Sequence, residues 1–381
     1  MITTEAWVLH RGPSKREPGE LKREAYSFPS ITECEVLAEP IYGCWEGNMT
    51  HALQRDPIDI CRHRGEQKVV LGNAGVVRIL KSGTAVTTVK EGDLCQLISV
   101  GVWDKSGYPL KILAYDAPNT MGVLAKQIKL HEQQVFPIFK NTKHSLQQWA
   151  AFPIRYATAW DNWKVAFGCW RLQMSDDDCP TPYVWGWGGG VALGELALAK
   201  HFGCRTAMIA SNDERLEKIE KMGITPIDRR QFIDLNFDEK RFKSDLAYRR
   251  RYMRAEMTFL DMVKKHTGGS GVSIFIDNIG GPVFRATLKA LGRQGVITTA
   301  GWKEGMSLSI TRGSECINRH IHVHTHGARN SQAAMHFAEE TGWLPPVDDN
   351  VYSWDEIPQL AHDYAAGKIS SYFPIFQVNS L

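Results

Sequence analysis

Tyr183-Val-Trp-Gly-Trp-Gly-Gly-Gly-Val-Ala-Leu-Gly-Glu-Leu-Ala-Leu-Ala-Lys-His-Phe-Gly203 reads as an apolar strand, a glycine turn and an apolar helix. A second apolar run follows at residues 206–210 and closes on the polar turn Ser211-Asn212-Asp213. That order is the first half of a βαβ unit built to hold a dinucleotide. Gly186, Gly188, Gly189 and Gly190 let the backbone bend sharply and approach a pyrophosphate. A helix beginning near Val191 aims its free N–H groups and the positive end of its dipole at that anion. Ala192 is small enough for the helix to lie close on the strand. The competing reading is a glycine-rich loop in an ordinary α/β sheet. Four glycines between a strand-like and a helix-like run favour the cofactor.

Working outward, 381 residues suit two domains of ordinary size. At 43% hydrophobic and 23% charged, the composition is that of a soluble globular chain. A net charge of +3 is too small to point to nucleic acid. The N-terminal region is rich in Arg, Lys and Glu and has no apolar segment of signal-peptide type. No run of about eighteen apolar residues marks a membrane span. The 8 cysteines are scattered without a C-x-x-C pair, which argues against metal knuckles and a disulfide framework. A reduced, cytoplasmic protein is expected.

The N-terminal part reads as β-rich and irregular, with strand candidates at 35–38, 69–81 (broken at Gly72 and Gly75) and 94–100. Helices are expected at 145–152 and 157–167. From Val184 strands and helices alternate: helix 214–222, helix 259–266, strand 272–277, helix 283–291, strand 295–300. Such alternation argues for a parallel, doubly wound sheet. A last helix at 355–366 and a strand at 372–378 end the chain, the strand returning to the N-terminal part.

Three further segments carry a resemblance. They are Ala74-Gly-Val-Val77 with Gly83 and Gly92-Asp93; Phe152-Pro-Ile-Arg-Tyr-Ala-Thr-Ala-Trp160; and Thr267-Gly-Gly-Ser-Gly-Val272 with Ile276-Asp-Asn-Ile-Gly-Gly281. With the glycine turn they resemble the medium-chain dehydrogenase/reductase superfamily over nearly the whole chain. The resemblance implies an α/β protein: a GroES-like β-rich domain (residues 1–155 and 335–381) and a Rossmann doubly wound parallel sheet (156–334), with cofactor and substrate in the cleft between them. It places Thr158, Asn278, Ala300 and Gly301 beside the nicotinamide.

Many members of that superfamily carry a catalytic zinc, which needs three protein ligands and an open position. Here the Cys-bearing turn is Gly43-Cys-Trp-Glu-Gly-Asn48, the Gly-His-Glu element has become Leu71-Gly72-Asn73, and residues 150–153 offer no ligand. A zinc-independent member is expected, with Cys44 a packed thiol. The long basic insertion 228–256 narrows the resemblance to crotonyl-CoA carboxylase/reductase-type enzymes. So do the segments 108–116, 297–300 and 326–333. By that resemblance Asn48, Tyr115–Asp116 and His326 surround an enoyl thioester. Asp116 stands where the group has Glu, which retracts its carboxylate by about one methylene, so carboxylation is not expected.

Reduction of an activated C=C needs a placed hydride, donors for the developing enolate, and a proton for the α-carbon. Tyr42, Asn48 and His326 are candidates; strand packing and turn capping are the alternatives for Tyr42 and Asn48. His320, His322, His324 and His326 alternate and would share one face of a strand, either as a polar face or as a metal site. Arg249-Arg250-Arg251, with Arg241, Lys243 and Arg254, reads as a solvated helix face or as a grip on a CoA phosphate or an acidic carrier protein. Trp45, Trp160 and Trp302 are either core or cleft lining.

NAD-specific members place an acid at the end of the second strand. Ala210 stands there, while Ser211, Asn212 and Arg215 offer donors to a 2′-phosphate, so NADP(H) is the expected cofactor; a one-residue slip would bring in Asp213. The expectation is an NADPH-dependent reductase of an α,β-unsaturated CoA or carrier-protein thioester or enone. It would act on a small-molecule or carrier-bound substrate, without nucleic acid or membrane, as a homodimer or homotetramer. The alternatives are a metal-free alcohol/aldehyde oxidoreductase, with His51 or Tyr42 relaying a proton, and a non-catalytic cofactor-binding relative.

Overall fold

In a computed structural model, Tyr183–Trp187 is an inner strand of a six-stranded sheet in which every pairing is parallel. Its order is Thr225–Asp228, Arg205–Ala210, Tyr183–Trp187, Val272–Asp277, Leu291–Thr299, His322–Thr325. The structure describes residues 1–13, 17–300, 308–310, 317, 319–325, 329 and 331–381. Contacts divide the chain into Thr158–Gly327, which holds this sheet, and a unit made of Met1–Ala157 with Ala328–Leu381. The expected fold class, a β-rich unit plus a doubly wound parallel sheet, is what the chain adopts.

The sheet forms because its inner strands are apolar on both faces, as burial between helix layers requires. Val272–Asp277 is buried at every residue. Helix Gly190–His201 is buried along most of its length and ends before Gly203, whose φ of +77° suits a left-handed cap. Helix Asp213–Lys221 is capped by Asn212, whose side chain accepts from Arg215 N at 3.1 Å.

The largest departure from expectation lies in the insertion. From sequence the helix is bounded at 259–266, with a helix face as one reading of the arginine run 249–254, yet Leu246–Thr267 is one helix of 22 residues. Asp245 caps its start by accepting from Tyr248 N at 2.9 Å, and Gly268, with φ +61°, ends it. Its buried face, Tyr248, Tyr252, Ala255, Phe259 and Val263, has helical spacing, but arginines between those positions mask the pattern. Phe259 stacks on Trp187 (ring centroids 5.2 Å apart), and that core also holds Phe232, Phe275 and Phe284. Truncating Phe259 to Ala would cost about 3–5 kcal/mol.

In the other unit, Ile2–His10 pairs with Leu21–Phe28 and Lys68–Val70. A seven-stranded sheet centres on Glu35–Cys44, which pairs with Gly75–Ser82, Ile128–His131 and the C-terminal Ile375–Gln377. The last strand does rejoin the N-terminal sheet, with Ile375 opposite Cys44. Two short helices, Gly47–Gln54 and Ile60–Arg64, are additions to the sequence reading. At eight and five residues they are too short for a periodic signal.

Candidate functional site

In the parallel-sheet unit the glycine turn has the geometry of an anion cradle. Gly189 caps helix Gly190–His201, and a Cβ built there meets nothing within 4 Å. The helix N-terminus therefore opens on free space. Gly188 has φ +143°, and a Cβ there would lie 2.9 Å from that of Asn278. Gly186 works differently: its missing side chain lets Ile276 and Leu196 close over the strand, with a built Cβ 3.1 Å and 3.3 Å from them. Gly190 is buried and Val191 half-buried at the first turn.

Asn278, just past the end of Val272–Asp277, accepts from Ala300 N at 2.7 Å through Oδ1, while its buried Nδ2 has no partner. A buried unpaired donor costs free energy unless something accepts from it. This one stands beside Gly188 at the strand ends where an open α/β sheet binds ligands. The free helix N-terminus, the open space at Gly189 and this orphan donor together fit a dinucleotide. Asp277, wholly buried, orders the adjoining turn by accepting from Ile279 N, Gly280 N and the Thr287 hydroxyl. Burial pushes its carboxyl above the usual range.

At the end of the second strand Ala210 lies opposite Asp228. Ser211 and Asn212 are exposed and Arg215 is half-buried; Asn212 spends its oxygen on the helix cap. Asp213 lies in the first helical turn and pairs with Arg230 at 2.5 Å, which also meets Asp228 at 2.9 Å. Thr158, in the same unit, is 5% exposed. One helical turn beyond it, Asn162 meets the Glu195 side chain, which also meets Thr298. Glu195 itself is wholly buried. Burial raises the Glu195 carboxyl well above the usual range.

The other unit brings together Cys44, Glu46 and Arg155, with Asn48 in the first turn of the helix that follows Glu46. Arg155, 5% exposed, gives Nε to Glu46 Oε2 at 3.0 Å. It also donates to Cys44 Sγ at 3.3 Å, Tyr372 O at 2.7 Å and Trp45 O at 2.7 Å. Burial raises the Glu46 carboxyl to about 7, against the pull of that guanidinium. It also pushes the Cys44 thiol up, so the sulfur stays protonated. Glu46 Oε1, Asn48 Oδ1 and Asn73 Oδ1 are buried without hydrogen-bond partners. Tyr42, 9% exposed, lies on the strand that ends at Cys44.

These residues do not fit a zinc ion. Cys44 is engaged by Arg155. Gly72 has φ +103°, and a Cβ there would sit 2.7 Å from Val123 Cγ2, so a histidine cannot be housed. Phe152 is fully buried. Among the described residues no group of three or more His, Cys, Asp or Glu is placed to hold a metal ion.

Asp116, half-buried, uses Oδ1 to accept from Ile112 N at 2.6 Å, which makes it a turn brace. Its neighbour Tyr115 is buried with an unpartnered hydroxyl. Trp45 is core, its indole N–H on Thr50 Oγ1 at 3.0 Å. His320 precedes strand His322–Thr325 with φ +55°, so it does not share the strand's alternation. His322 meets Gln173 at 3.0 Å. His326, Gly301 and Trp302 lie outside the described residues.

Sequence reading passed over Glu46, Arg155 and Glu195. A Glu inside the apolar run Ala192–Ala199 was the visible signal for Glu195. For Arg155 the signal was an arginine closely followed by the apolar residues of a buried helix.

Residues 190–339 match the family of zinc-binding dehydrogenases. Among solved structures, the whole chain is similar to the crotonyl-CoA carboxylase/reductase AntE in complex with NADP (17% identity, 99% of this chain and 95% of that one, TM-score 0.80). It is also similar to the 2-octenoyl-CoA carboxylase reductase CinF in complex with NADP and 2-octenoyl-CoA (16%, 98% and 87%, 0.77). A third is a thermostable alcohol dehydrogenase from Pyrobaculum aerophilum (15%, 99% and 100%, 0.72). Residues 190–339 thus match the zinc-binding dehydrogenase model, and the chain as a whole has the fold of these solved reductases and dehydrogenases.

Proposed function

We propose that the chain is an NADPH-dependent reductase of an α,β-unsaturated thioester or enone that works without a catalytic metal. The observation that carries this reading is the Arg155 guanidinium bound to Cys44 and Glu46, at the turn where zinc enzymes of this fold need ligands. An alcohol dehydrogenase of this type needs a Lewis acid to bind the substrate oxygen. Reduction of an activated double bond needs only hydrogen-bond donors for the enolate. Two solved neighbours with the fold hold NADP, and one of them holds an enoyl-CoA as well.

The bound nicotinamide would supply the hydride, delivered to the β-carbon. Gly188, Gly189, Gly190 and Val191 would hold the pyrophosphate with backbone N–H groups. Asn278 would offer its free Nδ2–H to the cofactor, and Thr158 and Ala300 would flank the ring. Ser211, Asn212 and Arg215 would take the 2′-phosphate. Asn48 would present its amide to the thioester oxygen as charge grows there, and Tyr42 would give the proton to the α-carbon. Asp116 would steady the turn beside Tyr115. His326 and Gly301 keep the roles expected of them, proton donor and cofactor contact.

The test is NADPH oxidation with crotonyl-CoA, with and without bicarbonate, against a panel of enones, aldehydes and alcohols. Turnover of enoyl substrates, unchanged by bicarbonate or by chelators, is expected. Turnover of aldehydes or alcohols alone would overturn the reading in favour of an alcohol oxidoreductase.

A further inference from the structure

The helix Leu246–Thr267 leads into strand Val272–Asp277 and runs antiparallel to it. Two ring contacts fix its level against the sheet. His266 packs on Trp185 (5.7 Å), in mid-strand, and Phe259 stacks on Trp187, the last residue of that strand. The helix therefore runs toward the C-terminal edge of the sheet, and its first turns, before Tyr252, stand farthest in that direction. At about 1.5 Å per residue, Arg249 stands roughly 15 Å beyond Phe259. This is the edge that carries Gly188, Asn278 and Ala300.

This part of the helix is braced from below. Tyr252 packs on Phe237 and Phe242, and Arg285 lies over the same rings. Its outer face is built differently. Leu246, Met253 and Met257 are 53%, 54% and 61% exposed. Their spacing of seven and then four residues sets them in one line along the helix, about 16 Å long. Arg249 lies on one flank, Arg250 and Arg254 on the other, all exposed. Between Leu246 and Thr258 the one carboxylate is Glu256, which is turned inward onto Lys289 at 2.5 Å.

An unopposed set of cations around a line of exposed apolar side chains selects its partner by charge and shape. A nucleotide phosphate needs donors that converge. Here they diverge around a convex helix and are separated by methionines, which suit an adaptable protein contact. We propose that this face docks an acidic acyl-carrier protein. A helix of the carrier would lie along Leu246, Met253 and Met257, and its carboxylates would meet Arg249, Arg250 and Arg254. The carrier would thereby deliver its thioester to the cofactor edge of the sheet. This rests on the thioester reading of the site.

The experiment compares one enoyl group on an acyl-carrier protein, on CoA and on N-acetylcysteamine, with wild type and the R249E/R250E/R254E variant. For the carrier-bound substrate, KM rises about tenfold in the variant, and wild-type KM rises with added salt. KM for the N-acetylcysteamine thioester does not move. An equal rise for CoA and carrier would assign the arginines to phosphates and overturn the proposal.

Binding of the apo carrier protein, followed by sedimentation, is read separately from turnover. Binding to wild type but not to the triple variant, with M253A/M257A weakened and NADPH affinity unchanged in all, supports the docking face even where no enoyl thioester is reduced. In that event the proposed reaction falls and the docking face stands. No carrier binding to wild type overturns the docking face. So does a wild-type dimer that the triple variant converts to monomer, which would make the face a contact between two copies.

Discussion

The cofactor cradle and the Arg155 cluster hold their polar atoms by different means. Gly188, Gly189, Gly190 and the helix they open are consecutive, and what they offer is backbone: a positive φ, a free helix end and a missing Cβ. Cys44, Glu46, Arg155 and Tyr372 come from three segments, with Arg155 and Tyr372 217 positions apart, and what they offer is side-chain charge buried in a β sheet unit. A backbone cradle is fixed by local sequence and is occupied only when a ligand arrives. A cluster assembled over long range is already filled by its own cation. The first is sensitive to shape and the second to charge, and four measurements test that division.

The largest effect is expected where charge balance is buried. Arg155→Met leaves Glu46 without its partner and removes donors from two backbone carbonyls, so it should cost about 3–5 kcal/mol in urea unfolding. The double variant R155M/E46M should recover much of that loss. If the double variant is no more stable than the single one, the cluster is held by packing rather than by charge.

Glu195 gives a pH-dependent counterpart within the cofactor unit. Its carboxyl is raised in the fold, so the native chain keeps a proton that the unfolded chain releases above about pH 4.3. Its contribution to stability is therefore complete below that pH and is lost progressively as pH rises toward the folded-state value. Glu195→Gln removes this slope. The urea midpoint of E195Q should gain on wild type between pH 5 and pH 8, and parallel curves would mean that Glu195 is ionised in the native chain.

Gly188→Val tests shape alone. Strain at φ +143° and the clash with Asn278 should cost about 1–3 kcal/mol locally and weaken NADPH binding by roughly tenfold to a hundredfold. A variant that binds NADPH as tightly as wild type would remove the turn from the cofactor site. The smallest effect is expected of Ala210→Asp. An acid at that strand end should shift the ratio of NADPH to NADH affinity by about tenfold toward NADH, measured by fluorescence titration. An unchanged ratio would place cofactor choice on Arg230 and its two carboxylates instead.

The same division explains what could be read from the sequence. The sheet and the glycine turn were legible because each is a local pattern: continuous apolar strands and glycines at a turn. The first half of helix Leu246–Thr267 was legible only as a helix face with no bounds, because Arg249, Arg250 and Arg251 interrupt the spacing of Tyr248, Tyr252 and Ala255. Gly72, standing where a ligand His is expected, could be read from the sequence. What fills the place could not, since nothing near Arg155 in the sequence points to Cys44 or Glu46. Sequence also could not show that Asp116 Oδ1 accepts from Ile112 N, a contact set by the turn it closes.

The Arg155 guanidinium also decides how this pocket can fail. A metal ion lost to a chelator can be taken up again from solution, and its supply can be regulated. A cation held by the chain through Glu46, Cys44 and two carbonyls cannot be stripped by a chelator. Its vulnerability lies in inheritance instead: one codon holds the whole charge, and no change in the medium replaces it.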